Sequence, residues 1–184
     1  MKLVNIFLSA AVMSAAAMAE APTAKEQGAA AIKQLGGALK SELQAKMKKD
    51  PSGMEAVKFC TENAGTITKD VNGKLPENVS VRRTSLKPRN STNKPDETDV
   101  NVMDVFAKEI AAKQISPGTI KVVEANGAIR VYKPLVTQKV CLKCHGSNIS
   151  PEISAVIKEK YPDDQATGFK EGDLRGVIVA EVKK

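Results

Sequence analysis

The dipeptide Asn126-Gly127 sits between two runs rich in β-branched residues, Thr119 to Glu124 and Ala128 to Leu135. Both turn residues tolerate positive φ, which a two-residue turn requires if the strands it joins are to keep their right-handed twist. A β-hairpin is therefore predicted here. A further strand is predicted at Leu174 to Val182, again rich in β-branched residues.

The rest of the chain reads mainly as helix. Thr23-Ala24-Lys25-Glu26 is a capping box, followed by Ile32, Leu35, Leu39, Leu43 and Met47 at spacings of three and four. Gly36-Gly37 interrupts that stripe and is expected to bend or fray it. Ser52 to Glu55 is a second capping box after Pro51, opening a helix on which Val57, Cys60, Ala64, Ile67 and Val71 share a face and Cys60 points inward. Leu86 to Asp99 lacks an apolar period and is predicted as a long surface loop. Val102, Met103, Phe106 and Ile110 predict a third helix, stopped by Ser116-Pro117-Gly118. Ser150-Pro151 opens a short helix that ends at Tyr161-Pro162. The order helix, helix, hairpin, short helix, strand predicts an α+β fold with helices packed on an antiparallel sheet. The chain divides into residues 1–19, an N-terminal helical segment at 20–50, and the main unit at 51–184.

Residues 1–19 read as an export signal. A lysine at position 2 precedes an apolar and Ala-rich stretch, and Ala17-Met18-Ala19 supplies the small-x-small pattern that signal peptidase cleaves. No later stretch is long and apolar enough to span a membrane. The mature chain is thus expected to be soluble in the periplasm, where thiols pair unless something else claims them. Composition excludes other classes. The chain has 184 residues, 42% hydrophobic and 27% charged, as expected of a single globular domain. Only 3% are aromatic and none is Trp, which leaves little to stack nucleic-acid bases. The net charge of +7 comes mostly from lysines scattered among acids, and reads as a solvated surface with no nucleic-acid partner.

Chemistry concentrates in Cys141-Leu142-Lys143-Cys144-His145. C-x-x-C-H is the spacing of c-type haem attachment. Two thiols separated by two residues can each form a thioether to one porphyrin vinyl group, and the adjacent imidazole then lies under the iron. The only His of the chain occupies the one position this motif requires. One covalent haem c is the predicted cofactor. A redox C-x-x-C would call for a thioredoxin-like βαβ setting, a zinc site would recruit Cys60 as fourth ligand, and a plain disulfide would leave His145 unexplained.

A single His excludes bis-His ligation. The candidates for a sixth ligand are Met47, Met54 and Met103 on predicted helices, and Cys60, whose thiolate would stabilise ferric iron and lower the reduction potential. Against Cys60 stands its reading as a small buried hydrophobe on its helix face, and against each Met its reading as core.

Several ordered motifs extend this picture. Arg83 to Asn90, Pro95-Asp96-Glu97, Tyr132 to Leu135, Cys141 to Gly146, Tyr161 to Asp164 and Gly172 to Gly176 resemble those of a family of exported monohaem c-type proteins and sensor domains, known largely as a domain of unknown function. The resemblance runs from about Met54 to Val182. It departs at Ser91, where many members have Pro, and after Pro95-Asp96, where many have an aromatic residue. It implies a PAS-like antiparallel sheet with flanking helices and haem held at the sheet edge. A cyanobacterial member has a His/Cys axial pair, its Cys on a helix ahead of the Arg-Thr-Ser-Leu segment. By that likeness the metal ligands here are His145 and Cys60. Arg83, inside the best-matched motif, is expected to contact a haem propionate or the distal side, because a guanidinium binds carboxylates in a bidentate way. The Asp163-Asp164 and Asp173 loop lacks EF-hand spacing and is expected to be solvated.

The function these features predict is a redox or ligand-responsive haem sensor that signals to a separate periplasmic redox or signalling protein. The alternative is a small periplasmic electron-transfer cytochrome c. An enzyme is not expected: a peroxidase-like site would need a distal acid/base group, and there is no second His to serve.

Overall fold

The computed structural model describes residues 21–184, so the predicted signal segment lies outside the described residues. The elements are α1 (Ala24–Lys49), α2 (Met54–Glu62), α3 (Ala64–Asn72), β1 (Val79–Thr84), α4 (Glu97–Ala111), β2 (Lys121–Ala125), β3 (Ala128–Val136), α5 (Leu142–His145), α6 (Pro151–Lys160) and β4 (Leu174–Lys183). The strands form one antiparallel sheet in the order β1-β4-β3-β2. The fold is α+β, as predicted.

The hairpin forms where the turn chemistry placed it. Asn126 and Gly127 have φ of 52° and 75°, and Ala125 pairs with Ala128 across the turn. β4 runs up the middle of the sheet, paired with β1 on one side and β3 on the other, and its Val177 to Ala180 are buried on both faces. On one face, Ala31, Ile32 and Leu35 of α1 pack on Val79, Val81, Val131, Ile178 and Ala180. On the other, Val102, Met103 and Phe106 of α4 pack on Tyr132, Val177 and Val179. This alternation follows from the two-residue period of a strand.

Several local expectations change. α1 is one continuous helix of 26 residues, with the Thr23 capping box formed and no break at Gly36-Gly37. Its glycines serve packing instead. A Cβ at Gly28 would lie 2.5 Å from Val131 Cγ2, and one at Gly36 would lie 3.1 Å from Ile178 Cδ1, so the missing side chains let α1 approach the sheet. The second helix is split into α2 and α3 at Asn63. Its start is capped by Asp50, whose carboxylate accepts from the Ser52 and Glu55 amides, and not by a Ser52 capping box. β1 is absent from the sequence reading. Only Val79 and Val81 mark its buried face before Arg82 and Arg83, too short an alternation to register as a strand. The predicted loop 86–99 contains a 3-10 turn at Ser91–Asn93 and the first turn of α4, which begins at Glu97 with a capping box between Asp96 and Asp99. α4 ends at Ala111, ahead of the Ser-Pro-Gly stop.

Candidate functional site

Cys141 closes a 3-10 turn, Lys139–Cys141, and α5 follows at once as a single turn ending in His145. The motif is thus one compact helical corner, with both thiols and the imidazole half-buried. The Gln138 amide donates to Cys141 Sγ at 3.4 Å. Cys144 lies against the apolar cluster that joins α2 to α6, with Met54, Val57, Ile153 and Ile157. Gly146 is required where the chain leaves: a Cβ there would sit 2.6 Å from the Leu142 carbonyl oxygen.

The segment Ala166 to Phe169 runs beside this corner. The Phe169 amide donates to the His145 carbonyl at 2.9 Å and the Gly168 amide to the Gly146 carbonyl at 3.0 Å. His145 Nδ1 lies 2.8 Å from the Ala166 carbonyl oxygen. A carbonyl can only accept, so Nδ1 carries the proton and Nε2 presents a lone pair. Burial, reinforced by the nearby Arg175 and Arg89 charges, pushes the imidazole down to about 3 and keeps it neutral. The Phe169 ring meets His145 edge-on, 6.3 Å between centroids at 89°. Taken together, a neutral Nε2 and two thiols three positions apart can hold a metal from one side and bond a cofactor covalently.

Arg89 fastens the corner to its neighbours. Its Nε donates to Asp164 Oδ1 at 3.1 Å, and its terminal nitrogen donates to the carbonyls of Cys144 at 2.6 Å and Ala166 at 3.2 Å. The Ala166 amide in turn donates to Asp164 Oδ1 at 2.8 Å. The expectation of a solvated loop fails for Asp164, whose side chain is only 9% exposed because it completes this clamp.

Cys60 on α2 faces the same region. Burial pushes its thiol up, opposed by the positive charges of Arg83 and Arg89, and its charge in turn raises Cys144. Arg83, on β1, is held weakly by the Ala64 carbonyl at 3.5 Å, and its Nε is buried with no hydrogen-bond partner. Arg175, on β4, donates to Ser85 Oγ at 2.9 Å and lies over the Phe169 ring at 5.2 Å; its Nε is likewise buried and unpartnered. The fold therefore brings Cys60, Arg83, Cys144 and His145 into one neighbourhood, joined by Arg89 and Arg175. Arg82 does not join them. It points to the opposite face of the sheet and pairs with Asp99 at 2.8 Å.

The methionines separate clearly. Met103 is fully buried in the α4 core beside Phe106 and Tyr132. Met47 lies near the end of α1, and Met54 alone of the three packs in the cluster that contains Cys144. Among the described residues no group of three or more His, Cys, Asp or Glu side chains is arranged to hold a metal ion, so Cys60 does not complete a four-ligand zinc site with the motif. All three cysteines are free thiols.

Arg89, Asp164 and Arg175 escaped assignment as site residues because their partners are far away along the chain: 75 positions separate Arg89 from Asp164. Their positions inside the motifs Arg83 to Asn90, Tyr161 to Asp164 and Gly172 to Gly176 were the available signal.

An α+β domain with a C-x-x-C-H corner clamped beside its sheet is the class these observations define. The family model for Tll0287-like proteins matches residues 11–182, and the chain belongs to that family. Among solved structures, the crystal structure of the cyanobacterial heme-protein Tll0287 is similar, with a TM-score of 0.65 and 24% identity over 85% of this chain and 92% of that one. No curated protein matches the chain. Among the described residues no helix is long and apolar enough to cross a membrane.

Proposed function

We propose that this chain is an exported monohaem c-type protein, in which Cys141 and Cys144 would hold one haem covalently and His145 Nε2 and Cys60 would bind its iron. The hydrogen bond from His145 Nδ1 to the Ala166 carbonyl carries this reading, because it sets the tautomer that leaves Nε2 free and fixes the plane of the ring. The similar protein of known structure is a heme-protein, and the family is shared. When bound, haem would supply one-electron iron chemistry.

The chain's own residues do the rest. Arg89 and Asp164 hold the motif against the 164–169 segment, so that the imidazole cannot swing. The buried Phe169 ring stands against it at a right angle. Cys60 sits on α2, which packs on α1 and, through Val57, against α6 while adding no residue to the sheet-core cluster, so a change in its bonding would be passed to those two helices. That coupling supports a PAS-like redox or ligand-responsive sensor acting on a separate periplasmic partner. The reading as an electron carrier is supported by the exposure of the motif's leading edge: Val140 is 44% exposed, beside the exposed Lys139 and Lys143, which would let a redox partner approach the attachment site.

The test is maturation of the chain in a host that attaches c-type haem, with wild type and Cys60→Ala compared by absorption and EPR. Pigment that survives acid acetone and a low-spin signal lost in Cys60→Ala are expected. Colourless wild-type protein ends the reading, and an unchanged low-spin signal returns the sixth position to Met54. Carbon monoxide or nitric oxide binding with a structural change favours the sensor; indifference to both, with redox cycling by a second cytochrome, favours the carrier.

A further inference from the structure

The chain has five arginines, and they fall into two groups. Arg82, Arg89 and Arg130 each have a carboxylate within 4 Å. Arg83 and Arg175 have none among the described residues, and they are the two arginines whose Nε is buried and without a partner. A guanidinium taken out of water and left without an anion is costly, and buried polar groups are ordinarily paired. Burial lowers both from the ordinary arginine value, Arg175 to about 10, where the like charges of Arg89 and Arg83 add to the effect of burial.

Arg175 lies over the Phe169 ring, which in turn meets His145 edge-on, and Arg83 reaches the α2–α3 junction, 3.5 Å from the Ala64 carbonyl and on the side of Cys60. Two other cations there are engaged, Arg89 by Asp164 and two carbonyls and Lys87 Nζ by the Thr167 carbonyl at 2.6 Å, while Lys139 and Lys143 are exposed to solvent. Asp164, the carboxylate of this region, is already bound to Arg89.

We propose that Arg83 and Arg175 together form the seat for the two propionate carboxylates of the bound haem, one guanidinium to each or both sharing one. The proposal rests on the haem reading above, and adds Arg175 as the second half of a site in which Arg83 was expected to act alone. The hydroxyl and carbonyl held by Arg175, Ser85 Oγ at 2.9 Å and the Lys87 carbonyl at 3.2 Å, use one terminal nitrogen and fix the plane of the guanidinium. Its Nε edge is left for a bidentate contact, the geometry that arginine offers and lysine cannot.

The test uses the haem-loaded protein as wild type, Arg83→Gln, Arg175→Gln, the double variant and Arg175→Lys. Resonance Raman reads the propionate bending bands, and redox titration reads the midpoint potential from pH 5 to 8. Each single Gln variant is expected to shift the propionate bands. Losing a positive charge near the iron favours the ferric state, so the midpoint falls, and a carboxylate freed from its guanidinium introduces a pH slope that wild type lacks. The double variant shows the largest change. Arg175→Lys restores the potential but not the bands, because it returns the charge without the fork. Pigmented Gln variants with wild-type bands and a wild-type pH profile overturn the seat while leaving the haem reading intact. Should the Gln variants fail to accumulate, unaltered bands in Arg175→Lys overturn it equally. Colourless wild type removes the haem reading, and the seat falls with it.

Discussion

Arg89 and Asp164 form a nearly buried ion pair, 3.1 Å from Nε to Oδ1, with side chains 12% and 9% exposed. The pair ties the segment after β1 to the loop after α6, and through the Cys144 and Ala166 carbonyls it fixes the C-terminal half of the C-x-x-C-H corner. Arg89→Ala leaves Asp164 buried without its cation, which costs about 3–5 kcal/mol. Urea unfolding is expected to report that loss, and less of the purified protein is expected to carry haem. Arg89→Lys is expected to recover only part, since one ammonium cannot span three acceptors in the same plane.

Asp99 is fully buried on the other face, where its carboxylate accepts from Arg82 at 2.8 Å and from the Tyr132 hydroxyl at 3.0 Å. Asp99→Ala is expected to cost about 2–4 kcal/mol, by leaving the Tyr132 hydroxyl and the capping-box amide of Asp96 without their acceptor. In a domain of this size that lowers Tm by roughly 4–16 °C. A thermal melt unchanged within 2 °C or so counts against a structural role for this network.

Tyr132 gives the fold an alkaline limit. Its phenol is raised to about 12 by burial, with Asp99 adding to the rise and Arg130 opposing it. A raised folded-state value means stability is complete below the unfolded value of about 10 and is lost as pH climbs through 10 to 12. The contribution is about 2–3 kcal/mol. Unfolding curves at pH 9 and pH 11.5 for wild type and Tyr132→Phe are expected to converge at high pH, because the variant lacks the ionising group. A gap that widens with pH contradicts this.

Gly28 and Gly37 lie on the same helix with opposite needs. A Cβ at Gly28 meets Val131, which is fully buried, while at Gly37 it meets nothing within 4 Å. Gly28→Ala is expected to destabilise by about 1–3 kcal/mol through overpacking. Gly37→Ala is expected to stabilise by about 0.5–1 kcal/mol, since alanine loses less backbone entropy in a helix. Denaturant midpoints that move in opposite directions confirm the close approach of α1 to the sheet.

Local chemistry was readable wherever neighbours in the chain act on one another. Asn126-Gly127 determines a positive-φ turn by sterics alone, Thr23 and Ser150 cap helices within their own first turns, and the spacing of Cys141, Cys144 and His145 is set by a single helical corner. Tertiary structure decided what depends on distant partners. β1 exists because Val79 to Thr84 find β4 almost a hundred positions later, and its hydrogen-bonded register sends Arg82 to Asp99 and Arg83 towards Cys60. A strand alternates its faces, so two adjacent arginines of identical chemistry enter different environments. Asp164 became a clamp and Arg175 an unpartnered cation for the same reason: a side chain's charge is written in its codon, but its solvation and its partner are properties of the folded neighbourhood.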